Sequence, residues 1–205
     1  MKYLTKKLIL LISLGILSIF FLLLYFKYPF WSHYKTKNFK TLVEYNGSNI
    51  HGLLGRQILI HKDFKQHIEQ IDKYAADNDI ELIVIQSYRN ENQKISRNIV
   101  KPAKLSNHLA GFAIDFNIKR KNRIYLSHHL KKKYLSKSHV NVQNFINDIR
   151  ENKDLRWGGD FQIEDPVHID VPLNQMNKAK WFDFNKNCVT DYANRIPKWK
   201  FWKGN

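Results

Sequence analysis

The sequence predicts an α+β fold, a small antiparallel sheet with flanking helices, preceded by one transmembrane helix. Three observations carry this prediction. The chain begins with a nearly unbroken apolar run. Two later segments repeat apolar residues at three- and four-residue spacing, and several short segments alternate apolar with polar residues. The resulting order of helix, strand, strand, helix, strand suits one compact domain.

Residues Leu8 to Phe26 are apolar except for Ser13, Gly15 and Ser18. As a helix they would span ~28 Å, close to the hydrocarbon thickness of a bilayer. A cleaved signal peptide should have a shorter run ending in small residues. Here the run continues into Leu24-Tyr25-Phe26-Lys27-Tyr28-Pro29-Phe30-Trp31, so an uncleaved anchor is expected, with Tyr25 to Trp31 as an interfacial aromatic belt. Lysines flank the run on both sides, and charge alone does not orient it. Residues 1–7 are read as a cytoplasmic tail, 8–26 as a signal anchor, 27–50 as a polar, aromatic stalk and 51–205 as the folded domain.

Within that domain Phe64, Ile68, Ile71, Tyr74 and Ala75 predict an amphipathic helix stopping near Asn78-Asp79. Glu81 to Ile85 reads as a strand leading into Gln86-Ser87-Tyr88-Arg89. Residues 90–105 are polar and irregular, with some helix expected. Phe112, Ile114, Phe116 and Ile118 alternate with Ala113, Asp115 and Asn117, the period-two signature of a half-buried strand. Residues 119–139 carry eight Lys or Arg and no acid, and read as a basic insertion. Val142, Phe145, Ile146 and Ile149 mark a second amphipathic helix. A turn-rich bridge from Leu155 to Phe161 leads to a last strand, where Val167, Ile169 and Val171 point one way and His168 and Asp170 the other. Residues 178–205 form a basic-aromatic tail.

Two of these strands bear the chemistry. His108 precedes the first, with Gly111 freeing the backbone between them. Asp115 follows seven positions later, and His168 has Asp165 three residues before it. His108, Asp115 and His168 supply the three protein ligands of a catalytic zinc centre, whose fourth position is left to water. Asp165 can handle that water's proton. If the two strands are neighbours, the ligands converge. Singly, each residue has a plainer reading: Asp165 as a cap before Pro166, Arg89 as an ion-pair former, Trp157 as a core aromatic. The joint pattern points to the site. His33, His51, His61, His67, His128, His129 and His139 receive no metal role.

Ser87-Tyr88-Arg89, the run Ser106-Asn107-His108-Leu109-Ala110-Gly111-Phe112-Ala113-Ile114-Asp115, then Trp157-Gly158-Gly159-Asp160 and Asp165-Pro166-Val167-His168 together resemble one family. It comprises the zinc D-alanyl-D-alanine carboxypeptidases and L-alanyl-D-glutamate endopeptidases, among them VanY-type carboxypeptidases, VanX-type dipeptidases and phage endolysins. The resemblance covers about residues 81–171. It implies Zn2+ held by His108, Asp115 and His168, peptidoglycan stem peptide as substrate, Asp165 as general base, and Arg89 stabilising the developing oxyanion. Ser87 and Ser106 are expected to hydrogen-bond substrate or ligands. Three positions depart from the family pattern: Ile169 and Asp170 after the last histidine, and Val167 where a bulky aromatic is usual. They bear on substrate choice more than on metal binding.

The formal net charge of +16 speaks to partners rather than to fold. A basic, anchored enzyme would sit against an anionic wall, so the catalytic domain is expected on the periplasmic or extracellular side of the cell membrane. No nucleic-acid motif accompanies the basic tail, and nucleic acid is not expected as a partner. The alternative function is a non-catalytic, zinc-containing wall-binding relative, against which the presence of both Asp165 and Arg89 argues. Cys188 is the single cysteine, so no intramolecular disulfide can form, and nothing near it in sequence resembles a base that would activate it.

Overall fold

The structure, a computed structural model, describes residues 2–27, 32–93 and 103–203. It begins with helix α1 (Lys2–Lys27). Among the described residues, Lys6–Tyr25 is the one helical segment long and apolar enough to cross a membrane. Residues 28–31, which hold most of the expected aromatic belt, and 94–102, which hold most of the irregular stretch expected at 90–105, lie outside the described residues.

From Tyr34 onward, the segment expected as a stalk is part of the folded domain. It contributes β1 (Tyr34–Lys35), β2 (Leu42–Tyr45) and β3 (Ile50–Gly52). Strand β2 pairs antiparallel with β4 (Ile58–His61), and Leu42 and Ile60 are both fully buried. The reason lies far away in sequence. The Asp191 carboxylate accepts the backbone N–H groups of Lys40, Thr41 and Leu42 at 3.1, 2.7 and 2.8 Å. Buried backbone donors must be paired, and no local pattern announces a partner 150 residues on.

The main sheet follows the alternation in the sequence. Helix α2 (Lys65–Asp77) buries Ile68, Ile71 and Ala75 and is closed by Asn78, whose Nδ2 donates to the Tyr74 carbonyl at 2.9 Å. Each fully buried isoleucine there contributes about 1.5–3 kcal/mol of transfer free energy. The chain then runs through β5 (Glu81–Gln86), β6 (Ala113–Arg120) and β7 (Arg123–Tyr125), which pairs with the end of β6. Two single-turn helices follow, α3 (Ser127–Leu130) and α4 (Lys132–Leu135), and then α5 (Val140–Glu151), which buries Val142, Phe145, Ile146 and Ile149. The basic insertion is thus ordered structure, anchored by buried Tyr125, Leu130 and Leu135. Some of its cations are paired, Lys119 with Glu81 at 2.9 Å and Arg120 with Asp79 at 3.4 Å.

Strands β8 (Arg156–Trp157) and β9 (His168–Asp170) complete a sheet of order β3-β5-β6-β9-β8. All its pairings are antiparallel except β3 with β5, which is parallel. One face packs on α2 and α5 through Leu82, Ile114, Phe116 and Ile169. After α6 (Leu173–Met176), the expected tail forms a long helix, α7 (Lys178–Ala193), which packs on the turn at 107–110 and buries Trp181, Asn185, Cys188 and Asp191. A final strand, β10 (Ile196–Pro197), pairs with β1.

Candidate metal centre

Strands β6 and β9 are neighbours, and their register sets Asp115 directly opposite His168. Because Ile114 and Ile169 face the core, alternation sends both candidate ligands to the other face. His108 reaches the same point from the turn Asn107–Ala110, which Gly111 ends with φ 74°. A side chain at Gly111 would be strained by that angle, and its Cβ would lie 2.6 Å from the His61 backbone nitrogen. The Gly111 carbonyl in turn accepts the His61 N–H at 3.0 Å.

The three side chains meet at atom level. His108 Nε2 lies 3.1 Å from Asp115 Oδ1 and 3.2 Å from His168 Nδ1, and His168 Nδ1 lies 2.9 Å from the same Asp115 oxygen. The outward nitrogens are held. His108 Nδ1 is 2.8 Å from the Ser87 carbonyl, which can only accept, so Nδ1 carries a proton and Nε2 is the nitrogen that faces Asp115 and His168. His168 Nε2 lies 3.4 Å from Asp170 Oδ2. Asp170 is fixed by a bidentate Arg156 at 3.0 and 2.7 Å and by Asn107 Nδ2 at 2.7 Å. Asn107 is itself held by Asn174, whose N–H it accepts at 3.1 Å.

This donor set fits a small divalent cation. A tetrahedral ion with bonds of ~2.0–2.1 Å holds its ligand atoms ~3.3 Å apart, close to the three separations observed. The electrostatics agree. Burial alone would raise the pKa of Asp115, but His108 and His168 outweigh it and hold the carboxyl well below its usual range. Burial would lower that of His168, but Asp115 and Asp170 outweigh it and raise it to about 10. The inward edge of His168 therefore favours a positive charge, for which a proton and a metal ion compete. Burial likewise pushes Asp170 upward, and the bonds from His168 and Arg156 bring it down to about 2.

Asp165 and Arg89 lie within electrostatic reach of this cluster. The loop carrying Asp165 folds back on the turn Gly158–Asp160, with the Asp165 N–H donating to the Gly158 carbonyl at 2.9 Å. A Cβ on Gly158 would meet the Asp165 carbonyl at 2.3 Å and His168 Cβ at 2.9 Å, so only glycine admits this approach. Asp165 Oδ1 is buried with no hydrogen-bond partner among the described residues. Burial, and then the charge of Asp115, raise the Asp165 pKa and make its carboxylate a stronger base. The buried Arg89 guanidinium donates to Gln86 Oε1 at 3.2 Å, and its charge lies within reach of Asp115. Such a lightly paired buried donor suits an incoming oxygen.

The two serines differ. Ser87 steadies a ligand through its carbonyl, while its hydroxyl accepts the Leu59 N–H at 3.1 Å. Ser106 begins the turn of His108, its carbonyl accepting the Leu109 N–H at 3.0 Å, and its side chain makes no capping bond. The supports Arg156, Asn107 and Asn174 were given no role from sequence, and Asp170 stood out there only as a departure from the family pattern. Alternation put Asp170 on the face of His168, but its pairing with Arg156 follows from the β8–β9 register.

Residues 100–171 match the family model described as D-alanyl-D-alanine carboxypeptidase, consistent with the resemblance in the sequence. The match supports a peptidase acting on peptidoglycan. It spans His108, Asp115, Asp165 and His168; Ser87 and Arg89 lie outside it and join the site by geometry. No curated protein matches the chain.

Proposed function

We propose that this protein is a membrane-anchored zinc metallopeptidase. It hydrolyses peptide bonds in peptidoglycan stem peptides, as a D-alanyl-D-alanine carboxypeptidase or an L-alanyl-D-glutamate endopeptidase. The observation that carries this reading is the meeting of His108, Asp115 and His168 beside Asp165, whose buried Oδ1 has no hydrogen-bond partner among the described residues.

Zn2+ bound by His108, Asp115 and His168 would polarise the scissile carbonyl and lower the pKa of its water to ~7. Asp165 accepts the proton of the attacking water and delivers it to the leaving amine, so that one water and one peptide bond give a carboxylate and an amine. Arg89 donates to the carbonyl oxygen as negative charge gathers there. Ser87 and Asp170 keep the two imidazoles in their ligating tautomers. Helix α1 holds the domain on the outer side of the membrane, where the substrate lies.

Incubating the full chain with defined muropeptides, with Zn2+ and with a chelator, tests the reading. Release of free D-alanine identifies a carboxypeptidase, and cleavage after L-alanine an endopeptidase. Unchanged muropeptides with Zn2+ present would overturn the enzyme reading.

A further inference from the structure

The end of the described chain is bonded to the first strand after α1. Strand β10 pairs with β1, setting Tyr34 opposite Pro197 and Lys35 opposite Ile196. The Lys198 N–H donates to the His33 carbonyl at 2.7 Å. Lys35 Nζ donates to the carbonyl of Phe201 at 3.3 Å and also to that of Lys203. The closing turn, residues 198–203, is therefore pinned where the chain comes off α1. Six residues separate Lys27 from Tyr34, and a trans chain of that length reaches at most ~24 Å.

That turn presents an unusual surface. Phe201 is 76% exposed, Trp202 59% and Trp199 38%. Trp202 stands in edge contact with both other rings, at centroid distances of 5.9 Å to Trp199 and 5.1 Å to Phe201. Lys200 lies over the Trp199 ring at 5.0 Å, and Lys203 is exposed. The acid at this end, Glu44, is paired with Lys198 at 2.7 Å, so the turn keeps a net positive charge. Clustered exposed aromatics mark a contact surface. Tryptophan rings with lysines beside them suit the layer where acyl chains meet anionic headgroups.

We propose that residues 198–203 form a membrane-surface contact, in which Trp199, Phe201 and Trp202 enter the headgroup layer of an anionic phospholipid bilayer and Lys200 and Lys203 meet its phosphates. The proposal rests on the reading of α1 as a membrane anchor. A domain so held is docked at two points and cannot swing freely on its tether.

The test uses the full chain in vesicles of phosphatidylcholine and phosphatidylglycerol, with and without bromine on the acyl chains. Subtracting the emission of a Trp199→Phe, Trp202→Phe variant from that of the native chain isolates the two indoles. Brominated lipid is expected to quench this difference signal at least twofold, and the quenching should weaken in phosphatidylcholine alone. Alkaline washing of the same vesicles tests α1 separately. A retained chain with an unquenched indole pair would overturn the surface contact alone, and would be the outcome if the turn binds a wall polymer instead. Quenching that ignores the anionic lipid would overturn the role given to the lysines. Release by alkali would overturn the anchor, and this proposal with it.

Discussion

His108 and His168 each have their outward nitrogen facing a fixed acceptor, Ser87 O and the Asp170 carboxylate. Among the described residues, Asp165 keeps a buried oxygen with no hydrogen-bond partner, and the Arg89 guanidinium donates to a neutral amide oxygen at 3.2 Å. The two histidines are held by bonds from their own fold; the side proposed as reactive is left under-bonded among the described residues. A buried group without partners costs free energy, so the difference indicates where the protein keeps polar capacity for something that is not itself. It also divides the pocket by effect. Changes on the first side should alter how tightly metal is held, and changes on the second should alter turnover alone.

The sharpest way to break this division is Asp165→Asn. Muropeptide turnover should fall about 10²–10⁴-fold while zinc content, read by atomic absorption, stays at the native level. Loss of metal in that variant would show that the two sides are one unit. Arg89→Gln should cut kcat by about 10²–10³-fold, again with metal retained. Asp170→Asn crosses to the ligand side: competition with a chelator should show metal held 10–100-fold more weakly, and saturating zinc should restore much of the activity. Rescue of Asp165→Asn by added zinc would contradict the assignment.

The smallest expected effect lies outside the pocket and serves as a control. His61 is buried in a cluster with Phe184 and Phe112, at ring distances of 4.0 and 5.0 Å, and its Nδ1 accepts the Asp63 N–H at 3.0 Å. Burial lowers its pKa to about 4, with Lys62 and Lys180 adding to the shift and Asp63 and Asp191 opposing it. The unfolded chain takes up this proton near pH 6.5 and the folded one only near 4. Stability should therefore be lost as pH falls through that window, by up to about 3 kcal/mol, and the loss should level off below it. Denaturant melts at several pH values, compared with His61→Gln, would read the slope. An equal slope in the variant would remove His61 as the cause.

How much of this was legible in the sequence depends on how local each signal is. The ligand trio was readable because a period-two pattern fixes faces, and Asp115 and His168 needed only adjacent strands to meet. Helices α2 and α5 were readable from their apolar spacing. Strands β1 and β2 were not, because β1 pairs with β10 near the far end of the chain and the Asp191 bonds that hold the start of β2 come from about 150 positions on. Helix α7 read as a charged tail because its buried face mixes Trp181 and Cys188 with Asn185 and Asp191, which blurs the apolar stripe. Asp170 read as a departure from the family pattern, and its role emerged only with Arg156 and Asn107 in place.

The pairing of Asp115 with His168 across β6 and β9 has a consequence for assembly. A slip of one position would turn one of the two side chains to the far face of the sheet. A slip of two would keep both on one side but draw them apart along the strands, so the native alignment is the one that sets them opposite each other to grip one cation. An ion captured there would thus proofread the sheet, rewarding the right zipper of strands over the shifted ones.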